Sequence, residues 1–268
     1  MTAAESRIVV PEGRFPEPSS VTYPPELVVL PNAEAVDAYA AGLIIEQIRT
    51  KPTSVLTLPT GNTPIGMYGL IVASAQEGIV NLSKTTIVNL DEYHPIDPAS
   101  LDSYASFMRR HLMDHVPVGE WNIPNGGAPS ADEEAQRYRA LLEARQPVDL
   151  AVVGIGPGTT CHIGFNEKGS EPDSTVRYVT LDLQTREANA RLFEDPSQIP
   201  EGALTQGIGD ILRARWIILI AKGVHKAWGV NRTLKGPVSS DAPASFLRIH
   251  PRVTAVLDQE AAQYLLGN

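Results

Sequence analysis

The 268-residue chain has a single cysteine, Cys161. That excludes an intrachain disulfide and fits a reducing compartment such as the cytoplasm. Positive charge is also scarce: 22 Lys and Arg stand against 31 Asp and Glu, a net charge of −9. Binding nucleic acid requires clustered cations to neutralise phosphates, so no nucleic-acid partner is expected. A small anion stays open, because a few local basic groups and backbone amides can hold one phosphate whatever the global charge. No apolar run reaches the ~20 residues of a membrane span, and Met1 to Pro25 mixes charge with proline where a signal peptide would carry an apolar stretch. Neither membrane association nor secretion is expected. No second Cys or His stands at ligand spacing near Cys161-His162, so a zinc site is not expected either.

What is present reads as an α/β enzyme. Short apolar runs rich in β-branched residues occur at Glu26–Leu30, Ser54–Leu58, Thr85–Leu90, Val148–Val153, Arg215–Ile220 and Val253–Leu257. Helix-length segments lie between them. The first starts from Asn32 as N-cap, and others cover Pro64–Glu77, Leu101–His115, Asp132–Ala144, Gly202–Leu212 and His225–Lys235. Alternation of this kind predicts crossover connections and a three-layer, doubly wound, mainly parallel sheet with helices on both faces, a modified Rossmann-like architecture. Residues 1–25, with Pro11, Pro16, Pro18, Pro24 and Pro25, read as an extended arm lying on the surface or on a partner subunit of a homo-oligomer. Without a Pro/Gly/Ser-rich linker farther on, residues 26–268 read as one domain.

Three segments carry chemistry. Leu58-Pro59-Thr60-Gly61-Asn62-Thr63-Pro64 joins a strand to a helix; Thr63 is a candidate cap, Pro64 suits the first turn, and free amides beside small hydroxyls suit a phosphate. An ordinary strand-to-helix turn would look the same. It is neither a P-loop nor a dinucleotide fingerprint, since the GK[ST] ending and the repeated glycines are missing. Asn89-Leu90-Asp91-Glu92-Tyr93-His94 places two carboxylates at the end of a strand, where neighbours point oppositely and cannot share one task. One can act as general base while the other holds structure, or both can be turn formers. Last, Leu150–Gly156 is an apolar strand entering a glycine turn, followed by Pro157-Gly158-Thr159-Thr160-Cys161-His162-Ile163-Gly164-Phe165-Asn166-Glu167. A carboxylate bonded to an imidazole would fix its tautomer and raise its basicity.

Together these segments resemble the glucosamine-6-phosphate deaminase (isomerase) family, which is related to the 6-phosphogluconolactonases. Thr60-Gly61-Asn62-Thr63-Pro64 is similar to its TGGTP loop, Leu90-Asp91-Glu92-Tyr93 to its LDEY motif and Ser103-Tyr104 with Ser106-Phe107-Met108 to its SYxSFM helix. His162 to Glu167 reproduces HIGFNE, Thr185-Arg186 to Arg191 looks like TRxANxR, and Leu204-Thr205-Gln206-Gly207-Ile208-Gly209 looks like LTxGxG. The resemblance implies isomerisation and deamination of an amino-sugar 6-phosphate with no cofactor. It implies Asp91 as the base moving a proton between C2 and C1, His162 oriented by Glu167 as promoter of ring opening, and Thr60, Gly61, Asn62, Thr63, Arg191 and Lys226 as phosphate ligands.

Two departures stand out. The turn before His162 is two residues longer than the family's, with Thr160 in place of an acidic or amide residue and able to support the loop by one neutral hydrogen bond. Arg177-Tyr178-Val179 replaces the Arg-x-Lys of allosterically controlled members, so activation by an N-acetylated sugar phosphate is not expected. A lactonase or a non-catalytic sugar-phosphate sensor are the alternative readings. Phe165-Asn166-Glu167 favours the deaminase, and residues 1–25 are too short and proline-rich for a helix-turn-helix.

Overall fold

A computed structural model describes residues 22–156, 160–190 and 193–267. In chain order its strands are β1 (Glu26–Leu30), β2 (Val55–Leu58), β3 (Thr86–Asn89), β4 (Asp91–His94), β5 (Glu120–Asn122), β6 (Leu150–Gly154), β7 (Arg177–Thr180), β8 (Gly202–Thr205), β9 (Ile217–Ala221) and β10 (Val253–Asp258). The helices are α1 (Ala33–Thr50), α2 (Ile65–Gln76), α3 (Tyr104–Met108), α4 (Ala131–Glu143), α5 (Leu183–Ala190), α6 (Ile208–Leu212) and α7 (Ala227–Lys235). Asn32 caps α1 as expected, its side chain accepting from the Ala35 amide at 2.9 Å.

The main sheet runs β1-β10-β9-β6-β2-β3-β5, with every pair parallel. Its central strands β6 and β9 are covered on both faces, so they are apolar at every position rather than at alternate ones. Their alternation is visible in what they touch. Leu150, Val152, Ile218 and Ile220 pack with Ile44 of α1 and Met67 and Ile71 of α2. Ala151, Val153, Ile217 and Leu219 face the other way, toward Tyr138 of α4, Ile211 of α6 and Val230 of α7. The three-layer α/β arrangement is therefore as the sequence predicts. Among the described residues no helix is long and apolar enough to cross a membrane.

Chain direction across this sheet fixes where a ligand can sit. From β2 the chain steps to β3 and β5 on one side, then returns with β6 on the other side of β2 and continues outward through β9 and β10. Beyond the carboxyl ends of β2 and β6 the connections diverge and leave a crevice.

A second sheet has no counterpart in the sequence pattern. β4-β8-β7 is antiparallel, and Gly202–Thr205, expected to open a helix, is its central strand, with α6 starting only at Ile208. The Leu101–His115 helix is α3 continued by a π-helical turn, Arg109–Met113. Of the expected N-terminal arm, residues 1–21 lie outside the described residues; at its end the Tyr23 amide donates to the Arg248 carbonyl at 2.7 Å.

Candidate active site

Four neighbouring strands of the main sheet, β9, β6, β2 and β3, deliver the residues singled out above to one end. The loop after β2 holds Thr60, Gly61, Asn62 and Thr63. Gly61 has φ +88°, a conformation that favours glycine. Thr63 does not cap α2: the N-cap is Pro64, and no side chain bonds to the helix start. The correction has a chemical side. First-turn amides with no side-chain acceptor remain available to an anion, which the helix dipole also favours. Asn62 is exposed, and Thr60 lies beside the hydroxyl of Tyr104.

The carboxylate pair separates as strand geometry requires, although Asp91 and Glu92 open a new strand, β4, rather than close β3. Glu92 is fully buried and accepts from three amides, those of Tyr93 (2.9 Å), Tyr104 (2.9 Å) and Ala105 (2.8 Å), so it ties β4 to the start of α3. Burial pushes its pKa up to about 7, against the pull of those amides. Asp91 points the other way and is also buried, and among the described residues no donor is directed at its carboxylate. Burial, with the neighbouring Glu92 charge second, raises it to about 8. A carboxyl group in that range exchanges protons near neutral pH instead of remaining a fixed anion.

The loop after β6 brings in His162. Its carbonyl accepts from the Gly156 amide at 2.8 Å, and a Cβ on Gly156 would come within 2.3–2.5 Å of three ring atoms. Only glycine permits that approach. Burial, followed by the charge of Lys226, lowers His162 to about 3, so the imidazole is neutral. The loop then turns sharply at Gly164 (φ +55°), with Ile163 bridged to Asn166. Lys226 comes from a single helical turn, Val224–Lys226, after β9, and its buried Nζ donates to the Ile155 carbonyl at 2.5 Å.

The charge of Lys226 reaches His162, Thr60 and Asp91 both act on Tyr104, and Asp91 lies beside the turn at Gly164, but the expected pairing of Glu167 with His162 does not form. Glu167 is buried, yet its Oε2 accepts from the Asp182 amide at 2.7 Å, and no hydrogen bond joins it to His162. The turn at residues 163–166 carries the chain past the histidine and faces Glu167 toward the start of α5. Burial raises Glu167, with the Asp182 amide among the opposing influences. Thr160 is buried ahead of Cys161, while Arg191 and residues 157–159 lie outside the described residues. In the sequence Tyr104 stands only as part of the SYxSFM-like segment, because its place beside Thr60 depends on a contact between distant segments.

A family profile described as "Glucosamine-6-phosphate isomerases/6-phosphogluconolactonase" matches residues 31–256. The chain is 43% identical over 242 residues to a glucosamine-6-phosphate deaminase of Rhodopirellula baltica, covering 90% of this chain and 96% of that one. It is 39% identical over 236 residues to a glucosamine-6-phosphate deaminase of Halothermothrix orenii, covering 87% and 97%. Among solved structures, a monomeric glucosamine-6-phosphate deaminase superposes with a TM-score of 0.85 at 36% identity, over 89% of this chain and 99% of that one. The 6-phosphogluconolactonase of Trypanosoma brucei shares the fold, with a TM-score of 0.74 at 19% identity over 91% and 100%.

Proposed function

The chain belongs to the glucosamine-6-phosphate isomerase/6-phosphogluconolactonase family, and on that premise we propose that it converts glucosamine 6-phosphate to fructose 6-phosphate and ammonia. The observation that carries this reading is the buried Asp91 carboxyl, raised to about 8, facing the same crevice as a neutral His162 and a free helix start.

The chemistry follows in order. The 6-phosphate is held by Thr60, Gly61, Asn62, Thr63 and Lys226 at the start of α2, with Arg191 assigned to the same group, and this anchors the sugar at one end. His162, neutral and buried, takes the C1 hydroxyl proton and passes it to the ring oxygen, opening the ring. Asp91 as carboxylate removes the C2 proton and returns it at C1, while one amino-group proton moves to the C1 oxygen, turning the aldose into the isomeric ketose-level imine; water then adds at C2 and ammonia leaves. Glu167 supports the histidine loop from its contact with Asp182 rather than by bonding the ring. The unit that does this is the span 26–268, working in the cytoplasm, a location consistent with the lone buried Cys161.

Purified protein supplied with glucosamine 6-phosphate is expected to release ammonia and fructose 6-phosphate in equal amounts. No turnover on that sugar, with turnover on 6-phosphogluconolactone or another amino-sugar phosphate, would remove the substrate assignment.

A further inference from the structure

The antiparallel sheet fastens the two halves of the site to each other. Thr205 is the register partner of Asp91 across β4 and β8 and is completely buried. Its Oγ1 accepts from the Phe165 amide at 3.1 Å and donates to the Gln206 carbonyl at 3.1 Å. Gly164 passes so close that a Cβ there would lie 2.9 Å from Thr205 Oγ1 and 3.4 Å from Asp91 Oδ2. One hydroxyl therefore stands between the loop that carries His162 and the strand that carries Asp91. Gln206 braces the same junction. Its amide donates to the Leu90 carbonyl at 2.8 Å, its Nε2 donates to the Asn89 carbonyl at 3.0 Å, and its own carbonyl accepts from Asn166 Nδ2 at 2.8 Å.

Resting on the deaminase reading above, we propose that Thr205 is a positioning residue that sets the separation between the Asp91 carboxylate and the His162 loop. Threonine has no charge and its hydroxyl is occupied by protein partners, so it takes no proton in the reaction. Ring opening and proton transfer act on one substrate from two separately built loops, and rate is lost steeply when such groups drift apart. A buried hydrogen bond holds its partners more firmly than an exposed one, and the β-branched side chain restricts the hydroxyl to few rotamers.

Thr205→Val keeps the shape and deletes the hydroxyl. With glucosamine 6-phosphate as substrate, kcat is expected to fall about 10- to 100-fold, while KM and the midpoints of the pH profile stay at the wild-type values. Thr205→Ser is expected to recover most of the loss. A purely structural residue would lower Tm and leave kcat at room temperature intact; that result, or a Ser variant no better than Val, overturns the proposal. Should the Val variant not fold, Asn166→Asp serves, because it deletes the bonds donated to the Ile163 and Gln206 carbonyls but keeps the acceptor for Arg177. The same fall in kcat at constant KM supports the proposal, and wild-type kcat overturns it. If the wild-type protein itself proves inactive on this sugar, the functional reading fails separately. Amide exchange across residues 162–166 then decides, since it is expected to accelerate in Thr205→Val, and unchanged exchange overturns the positioning role.

Discussion

Set beside each other, the central strands of the main sheet and the strands of the small sheet are built on opposite terms. Leu150–Gly154 and Ile217–Ala221 are apolar throughout, each side chain pressed between sheet and helix, so their positions follow from removing hydrocarbon from water. Asp91–His94 and Gly202–Thr205 hold charged and hydroxyl groups that are buried or half-buried, Arg177 of the neighbouring strand is half-buried, and Glu92, Thr205 and Arg177 each meet hydrogen-bond partners. Asp91 is the instructive exception. Its neighbour Glu92 is satisfied by three amides, whereas Asp91 is left with a raised pKa and no donor among the described residues. In the central strands of one sheet every side chain is apolar and buried, and the other keeps a burial cost unrelieved at the position assigned to proton transfer.

The contrast can be broken by substitution. Asp91→Asn is expected to lower kcat on the order of 10³-fold or more, the range for loss of a general base. It should also stabilise. In the fold this carboxyl group is raised from 3.8 to about 8, so its favourable neutral form is fully present at acid pH and lost as pH rises through 8. Thermal melts should therefore show Asp91→Asn above wild type at alkaline pH and level with it near pH 4. A variant that stays active, or that is destabilised at alkaline pH, would end the comparison.

Ile218→Ala probes the opposite sheet. Deleting that buried side chain is expected to cost about 3 kcal/mol in denaturant melts, with kcat of the folded fraction unchanged. A fall in kcat without loss of stability would show that the parallel sheet does more than carry the loops.

The smallest effect is the sharpest. Glu92→Gln keeps an acceptor oxygen for the α3 amides but removes the charge that, after burial, raises Asp91. The acid limb of the kcat/KM profile, where Asp91 loses its proton, should move to lower pH. A limb that stays in place would mean that Asp91 is not the group titrating.

The same contrast explains what could be read from the sequence. Leu150–Gly154 was legible because a strand buried on both faces writes its environment into every residue. Gly202–Thr205 was not: Ala203 and Leu204 lead into the helix-like Ile208–Leu212, and only pairing with β4 and β7 makes them a strand. In the site, the loops after β2 and β6 and the Asp91-Glu92 pair were legible from their place past strand ends. The division of labour within that pair needed α3, whose amides come from residues 104 and 105. The partner of Glu167 was likewise hidden, because Asp182 reaches it from 15 residues away. Thr63 has the pattern of a cap but is not one, because the helix begins one residue later than that pattern suggests.

The contact between Gly156 and the His162 ring has a consequence for how this chain can vary. In a scan of all single substitutions, Asn62, exposed beside the crevice, should accept many residues, while position 156 should accept none. The cause at 156 would not be backbone freedom, since any added carbon meets the imidazole within 2.5 Å. A substitution there could survive only with a second change that moves the histidine. The two positions should therefore behave as a single heritable unit, lost or kept together.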